Sequence, residues 1–233
     1  MEMRGARILV PGATGRIGAA LVTRLHALGA RPALAGRDAD RLARVSAACA
    51  GAPARTFDAW DLDACAQTVE WALSELGGLD GVVVCVGVAA FGPAPDVSDA
   101  VAEHVAAVNA LAPMAFLRAA APRVDAGGVL AAVTGVVAEA APARMADYAA
   151  AKAALAAWLT AVRREQRRRG VSVLEINLPH MDTGFADRAL QGEPPRSAPG
   201  LPVEEAVSAV VTALADGARL IRPGTAAPLE VVR

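Results

Sequence analysis

Short apolar runs alternate along the chain with longer stretches in which Ala, Leu and Val recur at helical spacing. The runs predict strands over 7–10, 32–35, 55–57, 81–86, 129–133 and 171–178. The helical stretches fall between them, over 16–28, 40–50, 62–76, 98–121 and 146–169, with a last helix over 203–215. Residues 81–86, Gly-Val-Val-Val-Cys-Val, show no in/out alternation, as expected of a strand covered on both faces. Repeated strand–helix–strand order with such a strand predicts a doubly wound parallel α/β sheet, because right-handed crossovers lay helices on both sides. One stretch breaks the rhythm: 183–202 holds Gly184, Gly192, Pro194, Pro195, Pro199, Gly200 and Pro202. An irregular segment of that length after a strand is expected to be functional, here a substrate lid. No internal repeat is visible, so residues 1–233 are expected to form one domain.

Composition narrows the function classes. Apolar residues make up 55% of the chain but aromatics only 3%, so the core is expected to be built from Ala, Val and Leu. A net charge of −1 gives no basic footprint for nucleic acid. The run Arg163-Arg164-Glu165-Gln166-Arg167-Arg168-Arg169 ends a predicted helix, where cations complement the helix dipole on a solvated face. Cys49, Cys65 and Cys85 are odd in number and widely spaced, which fits reduced thiols and neither a disulfide framework nor a metal site. With no signal-peptide pattern and no apolar run of membrane-spanning length, a cytoplasmic protein with no membrane partner is expected.

Candidate chemistry begins at the first strand's end. Pro11-Gly12-Ala13-Thr14-Gly15-Arg16-Ile17-Gly18 sets three glycines at a strand-to-helix junction, where backbone N–H groups and the helix N-terminus favour a pyrophosphate. The second strand is followed by Arg37, where a dinucleotide fold meets the adenosine ribose. A cation there suits a 2′-phosphate, so Arg37, with Arg16, points to NADP rather than NAD. Asp58, after the third strand, either bonds the adenine amine or caps the helix that follows. Tyr148 is the only tyrosine and Lys152 the only lysine among 23 Lys and Arg residues, four positions apart. On a helix they share a face. An ammonium beside a phenol is expected to lower its pKa toward neutrality and make it a proton donor or acceptor; an ordinary surface pair is the alternative.

The Gly12 turn followed by Tyr148-x-x-x-Lys152 resembles the short-chain dehydrogenase/reductase family over nearly the whole chain. The resemblance implies a Rossmann-type fold, a nicotinamide cofactor and hydride transfer to or from a carbonyl or secondary alcohol. Catalytic residues implied are Tyr148 as acid/base, Lys152 as its tuning cation and ribose ligand, and Asn109, in Val108-Asn109-Ala110-Leu111, holding a water beside Lys152. The family's serine stands thirteen residues before the tyrosine, where this chain has Gly135; Thr134, one residue earlier, is expected to supply the hydroxyl. The family's Asn-Asn-Ala-Gly after the fourth strand reads Val84-Cys85-Val86-Gly87 here, leaving Gly87 as the match. Pro179 and Thr183 match the nicotinamide-side segment, with His180 in place of a glycine. A small-molecule substrate and a homodimer or homotetramer are implied, the Ala149-to-Ala157 surface allowing close helix approach. Trp60, Trp71 and Trp158 are expected to pack, and no chemistry is assigned to His26 or His104. Two further readings stay open: a cofactor-retaining isomerase or dehydratase, and a non-catalytic NADP-binding sensor.

Overall fold

The computed structural model describes residues 1–195 and 199–233. Its strands are β1 (Arg7–Pro11), β2 (Arg31–Gly36), β3 (Ala54–Thr56), β4 (Gly81–Val84), β5 (Val129–Val133), β6 (Ser172–Ile176), β7 (Leu220–Pro223) and β8 (Leu229–Val232). They form one sheet in the order β3-β2-β1-β4-β5-β6-β7-β8. All neighbours are parallel except β7 and β8, which pair antiparallel from Leu220↔Val232 to Pro223↔Leu229. The helices are α1 (Arg16–Ala27), α2 (Ala39–Ala48), α3 (Leu62–Leu76), α4 (Asp99–Ala106), α5 (Ala112–Ala120), α6 (Val137–Ala140), α7 (Ala146–Gln166) and α8 (Val203–Asp216). The doubly wound reading holds. The closing β7–β8 hairpin is an addition: the sequence reading ended the sheet at the sixth strand.

The two faces of the sheet bury separate cores. Val10, Leu34, Val83, Leu174 and Ile176 pack with Leu21 and Leu25 of α1 and Val207, Val210 and Leu214 of α8. On the other face Leu9, Val82, Val84, Leu130 and Val173 meet Val69 of α3, Phe116 of α5 and Leu155 and Leu159 of α7. Successive β4 residues therefore go to opposite cores, which is why that strand reads as an unbroken apolar run.

Asp38, Asp61 and Ser98 cap α2, α3 and α4 by accepting the N–H of Arg41, Ala64 and Val101. Asp58 is thus not the α3 cap; it is exposed and accepts the Trp60 N–H at 3.0 Å. Trp60 is 45% exposed and donates its indole N–H to His104, so it is no core residue. Between α4 and α5 the helix widens into a π-turn over Ala107–Leu111. Its cause is local: Pro113 has no N–H for the carbonyl four residues back, that of Asn109. The combined helix Asp99–Ala120 is long and apolar enough to cross a membrane by length and composition, yet more than half of its most apolar window is buried inside the protein.

Two arginines of the 163–169 run are staples rather than a solvated face. Arg163 donates to the carbonyls of Val173 and Arg219, and Arg169 to those of Ala121, Pro122 and Val124. They tie the end of α7 to the strands and to the end of α5.

Candidate active site

The site lies at the carboxyl ends of β1, β4, β5 and β6. At the β1–α1 turn, Gly12 has φ +89°, and a Cβ there would sit 2.6 Å from the Cys85 carbonyl carbon. The turn and the β4 exit therefore touch backbone to backbone. A Cβ on Gly18 would run into the Gly12 carbonyl, and one on Gly36 would meet the Thr14 side chain at 2.7 Å. Gly15 faces open space, its nearest neighbour being the Gly12 carbonyl at 3.4 Å. Helix α1 has no side-chain cap and no acid in its first turn. The N–H groups of Arg16 and Ile17 have no acceptor among the described residues. Uncapped donors around a glycine open to solvent fit a pyrophosphate, which supplies the missing acceptors and suits the helix dipole.

At the end of β2, Arg37 is exposed, with no ion-pair partner among the described residues. The neighbouring Asp38 is committed to the α2 N-terminus and to Arg41, at 3.4 Å. The acid beside Arg37 is thereby turned to structure.

Tyr148 and Lys152 stand on the first turns of α7. Lys152 is 2% exposed, and its Nζ donates to the Val133 carbonyl at 2.8 Å. Burial lowers its pKa to about 8, with a small upward effect from the nearby Cys85 thiol. Tyr148 is half-buried, and burial pushes its phenol up to about 12. This reverses the expectation of a depressed phenol: the ammonium is held by the Val133 carbonyl, and desolvation of the phenolate dominates.

Asn109 is fully buried, on the π-turn. Its Nδ2 donates to the Val88 and Val105 carbonyls, each at 2.9 Å, and its Oδ1 accepts the Val88 N–H at 3.2 Å. With those bonds made, the side chain locks the loop after β4. Gly87 lies beneath Asn109 Oδ1, which a Cβ there would approach to 3.1 Å.

Thr134 does not present its hydroxyl as expected. It is 2% exposed, and Oγ1 donates to Glu175 Oε1 at 3.0 Å, within the sheet-and-helix interior. Burial raises the Glu175 pKa, and the Thr134 hydroxyl and Arg163 oppose the rise. Beside it Asn177 donates to Glu139 at 2.8 Å, while its own Oδ1 is buried without a partner.

Pro179 and Thr183 border the same end of the sheet, Thr183 donating its N–H to the Met181 carbonyl. The predicted lid 183–202 includes 196–198, which lie outside the described residues. Its described part is stitched at both ends. Asp182 accepts from His180 Nε2 at 3.0 Å and from the Gly200 N–H at 2.8 Å, and Leu201 donates to the His180 carbonyl. Further along, Leu190 donates to the Ala89 carbonyl and Phe91 to that of Gln191. This carries Phe185 over the site: its ring centroid is 6.2 Å from that of Tyr148, and its edge would be 3.6 Å from a Cβ on Gly87. Sequence reasoning missed Phe185, one of only four phenylalanines, although it falls inside the segment singled out as a lid.

An uncapped glycine turn on β1 and a buried lysine one helical turn after a tyrosine define a nucleotide-binding α/β protein equipped for proton transfer. The family model for short chain dehydrogenases matches residues 6–194, and the chain belongs to that family. A bovine protein named dehydrogenase/reductase SDR family member 7B is 26% identical over 203 residues, 82% of this chain. The alignment covers 62% of that relative's length. Among solved structures, a variant of a Serratia marcescens short-chain dehydrogenase/reductase matches with a TM-score of 0.85 and 27% identity, over 97% of this chain and 100% of that one. A Burkholderia cenocepacia short chain dehydrogenase in complex with NADP matches at 0.82 and 27%, over 92% of each chain. A putative dehydrogenase from Burkholderia cenocepacia with bound NADP matches at 0.82 and 25%, over 93% and 89%.

Proposed function

We propose that this oxidoreductase is NADP-dependent and moves a hydride between nicotinamide and the carbonyl or secondary alcohol of a small or medium apolar substrate. The observation that carries the cofactor choice is Arg37, exposed beside an Asp38 already spent on α2. The solved relatives that hold NADP support it. Gly12, Thr14, Gly15, Arg16, Ile17 and Gly18 cradle the pyrophosphate, Arg37 the 2′-phosphate, and Asp58 the adenine. Gly87, Pro179 and Thr183 border the nicotinamide.

The cofactor, when bound, supplies or accepts the hydride. Lys152 leaves the Val133 carbonyl or shares its protons with the ribose, and its charge then favours the Tyr148 phenolate. Tyr148 protonates the substrate oxygen in reduction and takes that proton back in oxidation. Asn109 holds the β4 loop, and with it Gly87, at fixed height. Phe185 gives the site an apolar wall, which supports an apolar substrate. We assign the exposed faces of the π-turn and α7 to subunit pairing, since Leu111 is 47% exposed and Ala150, Ala154 and Ala157 face outward. The three unpaired cysteines fit a reducing cytoplasm.

The test is NADPH oxidation against a panel of apolar ketones and aldehydes, followed by absorbance. Tyr148→Phe is expected to bind NADPH normally and lose about 10²- to 10⁴-fold in kcat, the range for a positioned acid. Unchanged turnover refutes the tyrosine's role. Arg37→Ala is expected to weaken NADPH binding and leave NADH binding unaltered; equal affinity of wild type and variant for NADPH refutes the cofactor choice.

A further inference from the structure

The hydroxyl that the family places beside its tyrosine is missing here, and the backbone offers a replacement. Gly135 stands thirteen residues before Tyr148 with φ +108°, a conformation that side chains rarely adopt. On either side of it, Thr134 donates its N–H to the Ile176 carbonyl and Val136 to that of Leu178, both at 3.0 Å and both toward β6. Successive N–H groups of an extended chain alternate in direction, so the Gly135 N–H faces the other way. On that side β4 has ended, the last β4–β5 partners being Val84 and Ala132. Gly135 N–H accordingly has no acceptor among the described residues. The residue is half-buried, and a Cβ built on it would make only ordinary contacts, with the Leu178 carbonyl at 3.5 Å and the Val137 side chain at 4.0 Å.

The same edge of β5 holds the lysine. Val133, two residues before Gly135, gives its carbonyl to Lys152 Nζ. Two residues of strand advance about 6.6 Å toward the carboxyl end. From Lys152 back to Tyr148 is one turn of α7, about 6 Å. Helix α7 runs against β5, because it returns the chain between the parallel strands β5 and β6. Both displacements therefore point the same way, and along the chain Tyr148 and Gly135 each lie about 6 Å further toward the carboxyl end of the sheet than Lys152 and Val133.

We propose that the backbone N–H of Gly135 is the catalytic hydrogen-bond donor to the substrate oxygen, in the place of a side-chain hydroxyl. The proposal rests on the hydride-transfer reading above. In reduction the substrate's carbonyl carbon gains the hydride, its C=O π pair moves onto oxygen, and that oxygen takes the Tyr148 proton. Gly135 N–H bonds the oxygen throughout and loses no proton. Tyrosinate is reprotonated from solvent. A donor fixed in the main chain needs no side-chain ordering, and aimed at developing charge it acts as oxyanion-hole amides do. Glycine is the residue that suits the site, because any other side chain is strained at this φ.

The experiment uses the whole protein with NADP⁺ and 2,2,2-trifluoroethanol, an alcohol whose electron-poor carbon resists hydride loss. Amide signals are followed in assigned ¹H–¹⁵N spectra, with hydrogen exchange as the second readout. Saturating alcohol is expected to move the Gly135 amide proton downfield and slow its exchange about tenfold or more, the effect of one new hydrogen bond. A shifting Gly87 signal with an unmoved, fast-exchanging Gly135 means the alcohol binds and finds another donor, which overturns the proposal and spares the hydride-transfer reading. No response at either glycine means the NADP⁺ complex has no alcohol site, and both fall.

Discussion

Lys152→Met separates the demands of the site from those of the fold. Burial lowers the ammonium pKa from 10.5 to about 8. At about 1.4 kcal/mol per pH unit, keeping the charge inside costs the folded state about 3 kcal/mol. Methionine retains the length and the apolar stem and leaves the Val133 carbonyl without its donor, a loss of about 1 kcal/mol. The net expectation is a variant more stable than wild type by about 2 kcal/mol at pH 7, or about 4–8 °C in Tm for a chain of this size. Because the folded pKa is the lower one, the penalty is full below pH 8, where both states carry the proton. Between pH 8 and 10.5 the folded state sheds it while the unfolded chain keeps it, so wild-type stability climbs relative to the variant. Above 10.5 the penalty has gone, and wild type regains the advantage of its hydrogen bond. Urea unfolding followed by circular dichroism at pH 7, 8.5 and 10 reads the difference. Cys85, held at about 12, stays protonated through that window and cancels between the two proteins. A variant less stable than wild type at pH 7, or a stability gap that does not change with pH, refutes the reasoning.

Two further outcomes follow from the packing. Asn109→Leu removes three hydrogen bonds and strands the Val88 N–H and carbonyl in the interior. A loss of about 3 kcal/mol in urea unfolding is expected, with weakened NADPH binding as the β4 loop slackens. Gly18→Ala drives a methyl into the Gly12 carbonyl, and overpacking there should cost about 1–3 kcal/mol. Because the clash falls on the phosphate turn, calorimetric titration should show a matching loss of NADPH affinity.

How much of this was legible in the sequence depends on whether a feature is periodic or relational. The order β1 to β6 was readable because each strand is a short apolar run and each crossover a helix of ordinary length; α3 was placed to the residue at 62–76. Strands β7 and β8 were not. Each has only four residues, with Pro223 closing one and Pro228 preceding the other; β7 is stabilised by pairing with β6 and β8, and β8 by pairing with β7. Tyr148 and Lys152 were legible through their rarity, whereas the direction of the phenol's pKa was not. It depends on desolvation and on where Nζ points, neither of which a four-residue spacing contains. Thr134 failed as a substitute for the same reason: its partner Glu175 lies 41 residues away in sequence and next to it in space. Asn109 was reached through the family resemblance, but the π-turn required noticing that Pro113 stands four residues later. Arg169 belongs with these. A run of arginines reads as a solvated cluster until the ends of α5 and α7 are brought together.

The stitched feet of the 183–202 segment bear on how freely its length can change. Asp182 receives both His180 and Gly200, and Gly200 crosses so close that a Cβ on it would lie 2.6 Å from the Asp182 nitrogen. The two feet of the segment therefore stand at nearly one point, with Leu190 and Gln191 tied to Ala89 and Phe91 between them. Lengthening such a closed loop is cheap, about 0.6 kcal/mol for each doubling. Insertions between 183 and 190 are therefore expected to leave β6 and α8 in register, with Tyr148 and Lys152 in place beneath them.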